Sequence, residues 1–136
     1  KLPPSSGLPD ARQENVGRIG LAMYPADSHI IYALYNDGTS ITGLFRSNDG
    51  GDSWTKTKQT PESGTFSWYF GQVRVSPDNP DVVFVMDAGF MRSEDGGDSW
   101  KINYGYNPSY AGLHVDHHAL AFSPDDANYL IEGNDG

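Results

Sequence analysis

The chain has 136 residues, a mean hydropathy of −0.55 and a formal net charge of −9. Its nine Lys and Arg residues are scattered, which argues against a nucleic-acid partner, because phosphate binding rests on clustered cations. Cys is absent, which excludes a disulfide framework and any Cys-ligated metal, and no apolar run approaches the roughly 18 residues of a membrane span.

The low hydropathy suits many short, half-exposed strands better than a helical core. Gly and Pro are frequent enough to supply repeated turns, and the Tyr, Phe and Trp content favours strands. No window shows a convincing helical period. The opening Lys1-Leu2-Pro3-Pro4-Ser5-Ser6-Gly7 is not a signal peptide, and residues 1–16 read as a linker or a closing segment.

From residue 17 the chain reads as consecutive four-stranded units. Strands are expected over 17–24, 30–35, 42–47 and 53–58, giving a first blade over 17–60. A second blade over 61–106 has strands over 70–76, 81–87, 89–93 and 99–104. The first half of a third, over 107–136, has strands over 115–122 and 128–133. Pro25, Pro77 and Pro124 each end a first strand where no ladder donor is needed. Asp37-Gly38 and Asp135-Gly136 carry the positive-φ chemistry of hairpin turns.

The units share one register. Leu21 to Asp27, Val73 to Asn79 and Leu120 to Asp126 are parallel, each followed by an apolar run. Arg46-Ser47-Asn48-Asp49-Gly50-Gly51-Asp52-Ser53-Trp54 is nearly copied by Arg92-Ser93-Glu94-Asp95-Gly96-Gly97-Asp98-Ser99-Trp100, with Asp49 and Asp95 46 residues apart. A period of that length is the mark of a propeller or a solenoid. The expected fold is therefore all-β: a β-propeller fragment of about two and a half four-stranded antiparallel blades. Such a fragment cannot close a ring, which typically takes about 4–8 blades, so further blades are expected on the same or another chain. Another turn of the same kind is expected about ten residues after Gly136.

Both copies fit S-x-D-x-G-x-x-W, through Ser47, Asp49, Gly51 and Trp54 and through Ser93, Asp95, Gly97 and Trp100. The carboxylate can accept the turn's own backbone amides, the glycines can take positive φ, and each Trp can cover its blade. A calcium loop is the functional alternative. Neither copy has the Asp-x-Asp-x-Asp-Gly spacing or the distal Glu of an EF-hand, so the role is read as structural.

In this motif the chain resembles the Asp-box or BNR repeat superfamily, which includes sialidases, glycoside hydrolase family 74 and sortilin-like receptors. Gly17-Arg18-Ile19-Gly20-Leu21 and Asp116-His117-His118-Ala119-Leu120, each followed by its proline and apolar run, resemble bacterial sortilin-like "glycosyl hydrolase" BNR-repeat proteins. The resemblance covers nearly all of the chain from Gly17. It implies a secreted or periplasmic protein with many more blades and implies no particular activity, because the fold does not fix the function.

Propeller topology places the two S-x-D-x-G-x-x-W turns and the three Pro turns on one face. The second-to-third-strand turns and the segments leading into each inner strand lie on the other. Those leading segments are the least repetitive part of the chain, and divergence within a repeated frame is where binding residues concentrate. Equivalent positions there hold Arg18, Phe70 and His117. The candidate binding face comprises Arg18, Trp68, Tyr69, Phe70, His114, Asp116, His117, His118 and Asp135, with Phe66, Tyr104, Tyr106 and Tyr110 nearby. No cofactor and no resident metal is expected. If a metal bound, strand alternation would make His114, Asp116 and His118 the ligand trio.

Three roles follow: a binding or scaffold module for a glycan, peptide or partner protein; a glycoside hydrolase related to family 74 propellers; or a structural subunit of an assembly. A hydrolase needs two carboxylates about 5–9.5 Å apart. The face offers Asp37, Asp87, Asp116, Glu132 and Asp135, none distinguished by sequence, so no catalytic residue is assigned. A sialidase would need an arginine cluster, and only Arg18 lies on that face.

Overall fold

The computed structural model describes residues 3–12, 14–62, 64, 66–103 and 113–136. The chain forms two four-stranded antiparallel sheets and a two-stranded third, each built from consecutive strands. The first contains β1 (Ile19–Met23), β2 (Ile31–Asn36), β3 (Ile41–Ser47) and β4 (Thr55–Lys56). The second contains β5 (Gln72–Val75), β6 (Val83–Met86), β7 (Phe90–Ser93) and β8 (Lys101–Asn103). The third pairs β9 (His117–Phe122) with β10 (Leu130–Asn134). This is the meander of successive propeller blades.

The sheets pack face to face because their middle strands are apolar on both sides. Tyr32, Leu34, Ile41 and Leu44 of the first sheet meet Val73, Val75, Val83, Val85 and Met91 of the second. The opposite side of the second sheet places Phe84, Met86 and Phe90 against Leu120 of the third. Alternation along β6 thus divides Val-Phe-Val-Met between two cores, and all four residues are buried. The other side of the first sheet, Ala33, Tyr35 and Phe45, is covered by Leu8, Val16 and Trp54. The leading segment is fastened there by a bond from the Trp54 amide to the Ser6 carbonyl at 2.7 Å.

Each Pro turn repeats one backbone bond: Tyr24 to Ile30 at 2.9 Å, Ser76 to Val82 at 2.9 Å and Ser123 to Tyr129 at 2.8 Å. The side chain inside each turn repeats as well. Asp27, Asn79 and Asp126 each accept from the backbone amide two residues on, closing the same Asx turn three times.

Two expectations about local structure are corrected. Ser67–Phe70 is a single helical turn, α1, whereas the sequence shows no helical period and predicts a strand from Phe70. The Phe66 carbonyl accepts from both Tyr69 and Phe70, and Asn36 Nδ2 donates to the Ser67 carbonyl, so the turn is held by a neighbouring blade rather than by periodicity. Second, β9 starts at His117 and not at 115, because Asp116 has φ 68°, outside any strand conformation. Tyr104, Tyr106 and Tyr110 lie outside the described residues.

Candidate functional site

The two Ser-Asp-Gly-Trp turns join β3 to β4 and β7 to β8, and their hydrogen bonds nearly superimpose. Ser47 Oγ donates to Asp49 Oδ1 at 2.7 Å and accepts from the Gly51 amide at 2.9 Å; for Ser93, Asp95 and Gly97 both distances are 2.8 Å. The carboxylates then accept from Ser53 and Ser99, through both amide and hydroxyl. Those bonds, the hydroxyl of Ser53 or Ser99 foremost, lower each Asp from the ordinary 3.8 to about 2. Gly51 and Gly97 sit at φ 98° and 94°, where a side chain is strained. With every acceptor turned onto its own loop, these carboxylates serve the turn.

The turns differ in one respect. Trp54 Nε1 donates within its own turn to the Gly51 carbonyl at 2.9 Å, while Trp100 Nε1 reaches the Gln59 carbonyl at 3.4 Å. Both indoles are half-buried. The Gly50 amide donates to the His29 carbonyl and the Gly96 amide to the Asp81 carbonyl, so each turn shares its face with the Pro turn of its own sheet.

The opposite face is assembled by the second-to-third-strand turns. Asn36, buried at the end of β2, accepts the Arg18 and Gly38 amides on Oδ1 and donates across the sheet boundary to the Ser67 carbonyl. Asp87 occupies the equivalent place in the second sheet. Its Oδ1 accepts the Gly64 and Ala88 amides, and the backbone around it receives the third sheet, with Asp116 N donating to Ala88 O and His117 N to Asp87 O.

On that face Phe66, Trp68, Tyr69, Phe70 and Asp116 line a pocket of about 370 Å³. Phe66, Trp68 and Tyr69 are each more than half exposed, whereas Phe70 is buried beneath them. Trp68, Tyr69 and Phe70 are in ring contact in sequence, and the His118 ring packs on both Tyr69, at 5.8 Å, and Phe70, at 5.0 Å. Asp135 holds His118 by Nε2 at 2.8 Å. Arg18 donates from Nη1 to the Tyr69 carbonyl, so its guanidinium braces the segment from outside the pocket.

Seven of the nine residues expected on this face are therefore linked by contact or pocket: Arg18, Trp68, Tyr69, Phe70, Asp116, His118 and Asp135. The other two are placed differently. His117 is fully buried, which removes it from any ligand-facing role; its Nδ1 donates to Glu132 Oε1 at 2.6 Å and its ring lies 5.5 Å from Phe90. His114 is exposed with Nδ1 on the Val115 carbonyl, close to Gly136. The metal trio is not assembled. Positive φ at Asp116 and the bulge between Gly133 and Asn134 break the alternation it required, and among the described residues no three His, Asp or Glu side chains are grouped to hold a metal ion.

Sequence reasoning missed Glu132 as the partner of His117 and Gln72, whose Nε2 donates to the His118 carbonyl at 3.0 Å. Both contacts cross strands at separations that no local pattern reveals. It also missed that, among the described residues, the buried Asp87 Oδ2 and His117 Nε2 have no hydrogen-bond partner.

A second hollow, of about 630 Å³, lies between the second and third sheets. Phe84, Phe90 and Leu130 in its walls belong to the core there, and among the described residues it has no exposed aromatic in its lining.

No family model and no curated protein matches the chain. Among solved structures it is similar to the GH74 enzyme of Niastella koreensis, with 20% identity and a TM-score of 0.57 over 82% of this chain and 17% of that one. It is also similar to an ancestral GH74 enzyme, with 22% identity and a TM-score of 0.62 over 98% of this chain and 14% of that one. The chain thus spans less than a fifth of either, and the likeness is one of fold: part of a propeller of the kind found in these glycoside hydrolases. Among the described residues no helix is long and apolar enough to cross a membrane.

Proposed function

We propose that the chain is part of a larger, secreted or periplasmic β-propeller that binds a glycan at the Phe66–Trp68–Tyr69–Phe70 pocket. The observation that carries this reading is the half-exposure of three adjacent aromatic rings around one hollow, beside the innermost strands β5 and β9. Exposed aromatics in contact with one another are unfavourable in water and offer apolar faces on which the C–H face of a sugar ring can stack. The hollow lies within the size range of small-ligand sites.

Further blades on the same polypeptide are part of this reading. They are supported by two uncovered apolar rows, Ile19, Leu21 and Met23 on β1 and Tyr129 with Ile131 at the other end. We read the two Ser-Asp-Gly-Trp turns as Asp boxes of the BNR type, on the strength of their matching hydrogen bonds.

The test is affinity electrophoresis of the full-length protein in soluble polysaccharides, with Trp68→Ala as the control. Retardation that falls about tenfold or more in the variant is expected. Equal retardation of both proteins, or none of either, counts against the site. A glycoside hydrolase is the second reading, favoured by Asp116 at the pocket and by the GH74-like fold. It requires reducing sugar to be released by the wild type and not by Asp116→Ala.

A further inference from the structure

The charge inside the pocket narrows the ligand beyond a glycan in general. Among the described residues, Asp116 is the one charged residue lining it. Its backbone is clamped from both sides: its own amide donates to the Ala88 carbonyl at 3.2 Å, and the next amide donates to the Asp87 carbonyl at 3.1 Å. Among the described residues it is the one non-glycine with positive φ, a conformation that costs free energy and persists only where the surroundings impose it. The clamp holds the carboxylate beside the aromatic rings.

The other carboxylates of this face are engaged. Asp135 pairs with His118, Glu132 with His117 and Asn134, Asp37 with the Thr39 and Ser40 amides, and Asp87 with the Gly64 and Ala88 amides. Among the described residues, the Asp116 side chain has no hydrogen-bond or ion-pair partner. Arg18, on the same face, has its guanidinium on the Tyr69 carbonyl.

Aromatic faces carry negative electrostatic potential, and cations bind over them. A hollow walled by four such rings and a carboxylate with no partner among the described residues, on a chain of net charge −9, selects against uronates, sulfates and phosphates and favours a positive group. We infer that the pocket takes an amino sugar with a free ammonium group, the amine paired with Asp116 and the sugar ring stacked on Trp68 or Tyr69. This rests on the glycan reading above and is separable from it.

The experiment is calorimetric titration of the full-length protein, at mildly acidic pH and moderate salt, with three hexasaccharides: oligoglucosamine, its N-acetylated form and cellohexaose. The variants are Trp68→Ala and Asp116→Asn. Asn tolerates positive φ nearly as well as any residue with a side chain, so the second variant keeps the fold. The expected result is that oligoglucosamine binds about tenfold more tightly than the two neutral sugars, that Asp116→Asn removes this difference, and that Trp68→Ala weakens all three. Equal binding of the three sugars, still lost in Trp68→Ala, overturns the amine and leaves the glycan site standing. A preference that survives in Asp116→Asn comes from general acidity and also overturns it. Binding of none of the three overturns both readings, as does Asp116-dependent capture of an oligolysine peptide in their place.

Discussion

His117 Nδ1 lies 2.6 Å from Glu132 Oε1, with the imidazole fully buried and the carboxylate almost so. The pair joins the start of β9 to β10 where the ladder slips at a bulge, and it packs against Phe90 of the preceding sheet. It therefore ties the hairpin of the third sheet back onto the second.

Removing one partner of a buried pair strands the other. Glu132→Ala is expected to destabilise the third sheet by about 3–5 kcal/mol, and Glu132→Gln by less, because an amide oxygen still accepts from Nδ1. Urea midpoints of the two variants check this. A neutral Glu132→Ala would mean that the pair is solvated.

The two glycines at equivalent turn positions should respond differently to the same change. Gly51→Ala meets only ordinary contacts, with Trp54 at 3.5 Å and Ile31 at 3.9 Å, so its cost is the left-handed backbone, about 1–2 kcal/mol. Gly97→Ala places a methyl 2.7 Å from Leu44 Cδ2 and 3.0 Å from Thr57 Cγ2, across the boundary between the sheets. Overpacking adds about 1–3 kcal/mol there. Thermal melts that rank Gly97→Ala below Gly51→Ala support the packing of the blades, and the reverse order contradicts it.

Acid should loosen both Ser-Asp-Gly-Trp turns together. The hydroxyl and amide of Ser53 or Ser99, and the Ser47 or Ser93 hydroxyl, stabilise the ionised carboxylates and bring Asp49 and Asp95 to about 2. A folded value below the unfolded one contributes stability that is complete above about pH 4 and is lost as pH falls towards 2. Carboxyl NMR titrations should find the two residues at the low end of the chain's Asp range. Asp49→Asn and Asp95→Asn should flatten the fall in stability over that interval.

Alkali acts on the core between the first two sheets. Burial raises the Tyr32 phenol to about 12, and its hydroxyl donates to the Pro80 carbonyl of the next sheet at 2.8 Å. A phenol that ionises near 10 when unfolded but near 12 when folded contributes stability that is full below pH 10 and is lost as pH rises from there to 12. Absorbance at the phenolate band should show a Tyr titrating near 12 that is missing in Tyr32→Phe. That variant should also be about 1 kcal/mol less stable at neutral pH.

The repeated frame was legible in the sequence because its causes are local. Ser47, Asp49, Gly51 and their counterparts close their turns with partners two to four residues away, and Asp27, Asn79 and Asp126 do so two residues away. The apolar runs of β2 and β6, and the prolines after the first strands, needed only the neighbouring residues to be read. The pocket was legible in part, as a set of divergent residues on one face. Its arrangement depended on contacts at long separation. Asn36 holds Ser67 and so winds Ser67–Phe70 into a helical turn, Ala88 and Asp87 clamp Asp116 and His117, and Glu132 draws His117 into the core. Which imidazole is buried, which carboxylate is left unpaired and which rings stay exposed are set by how one blade seats on the next, and that is a property of packing between sheets that no run of residues carries alone.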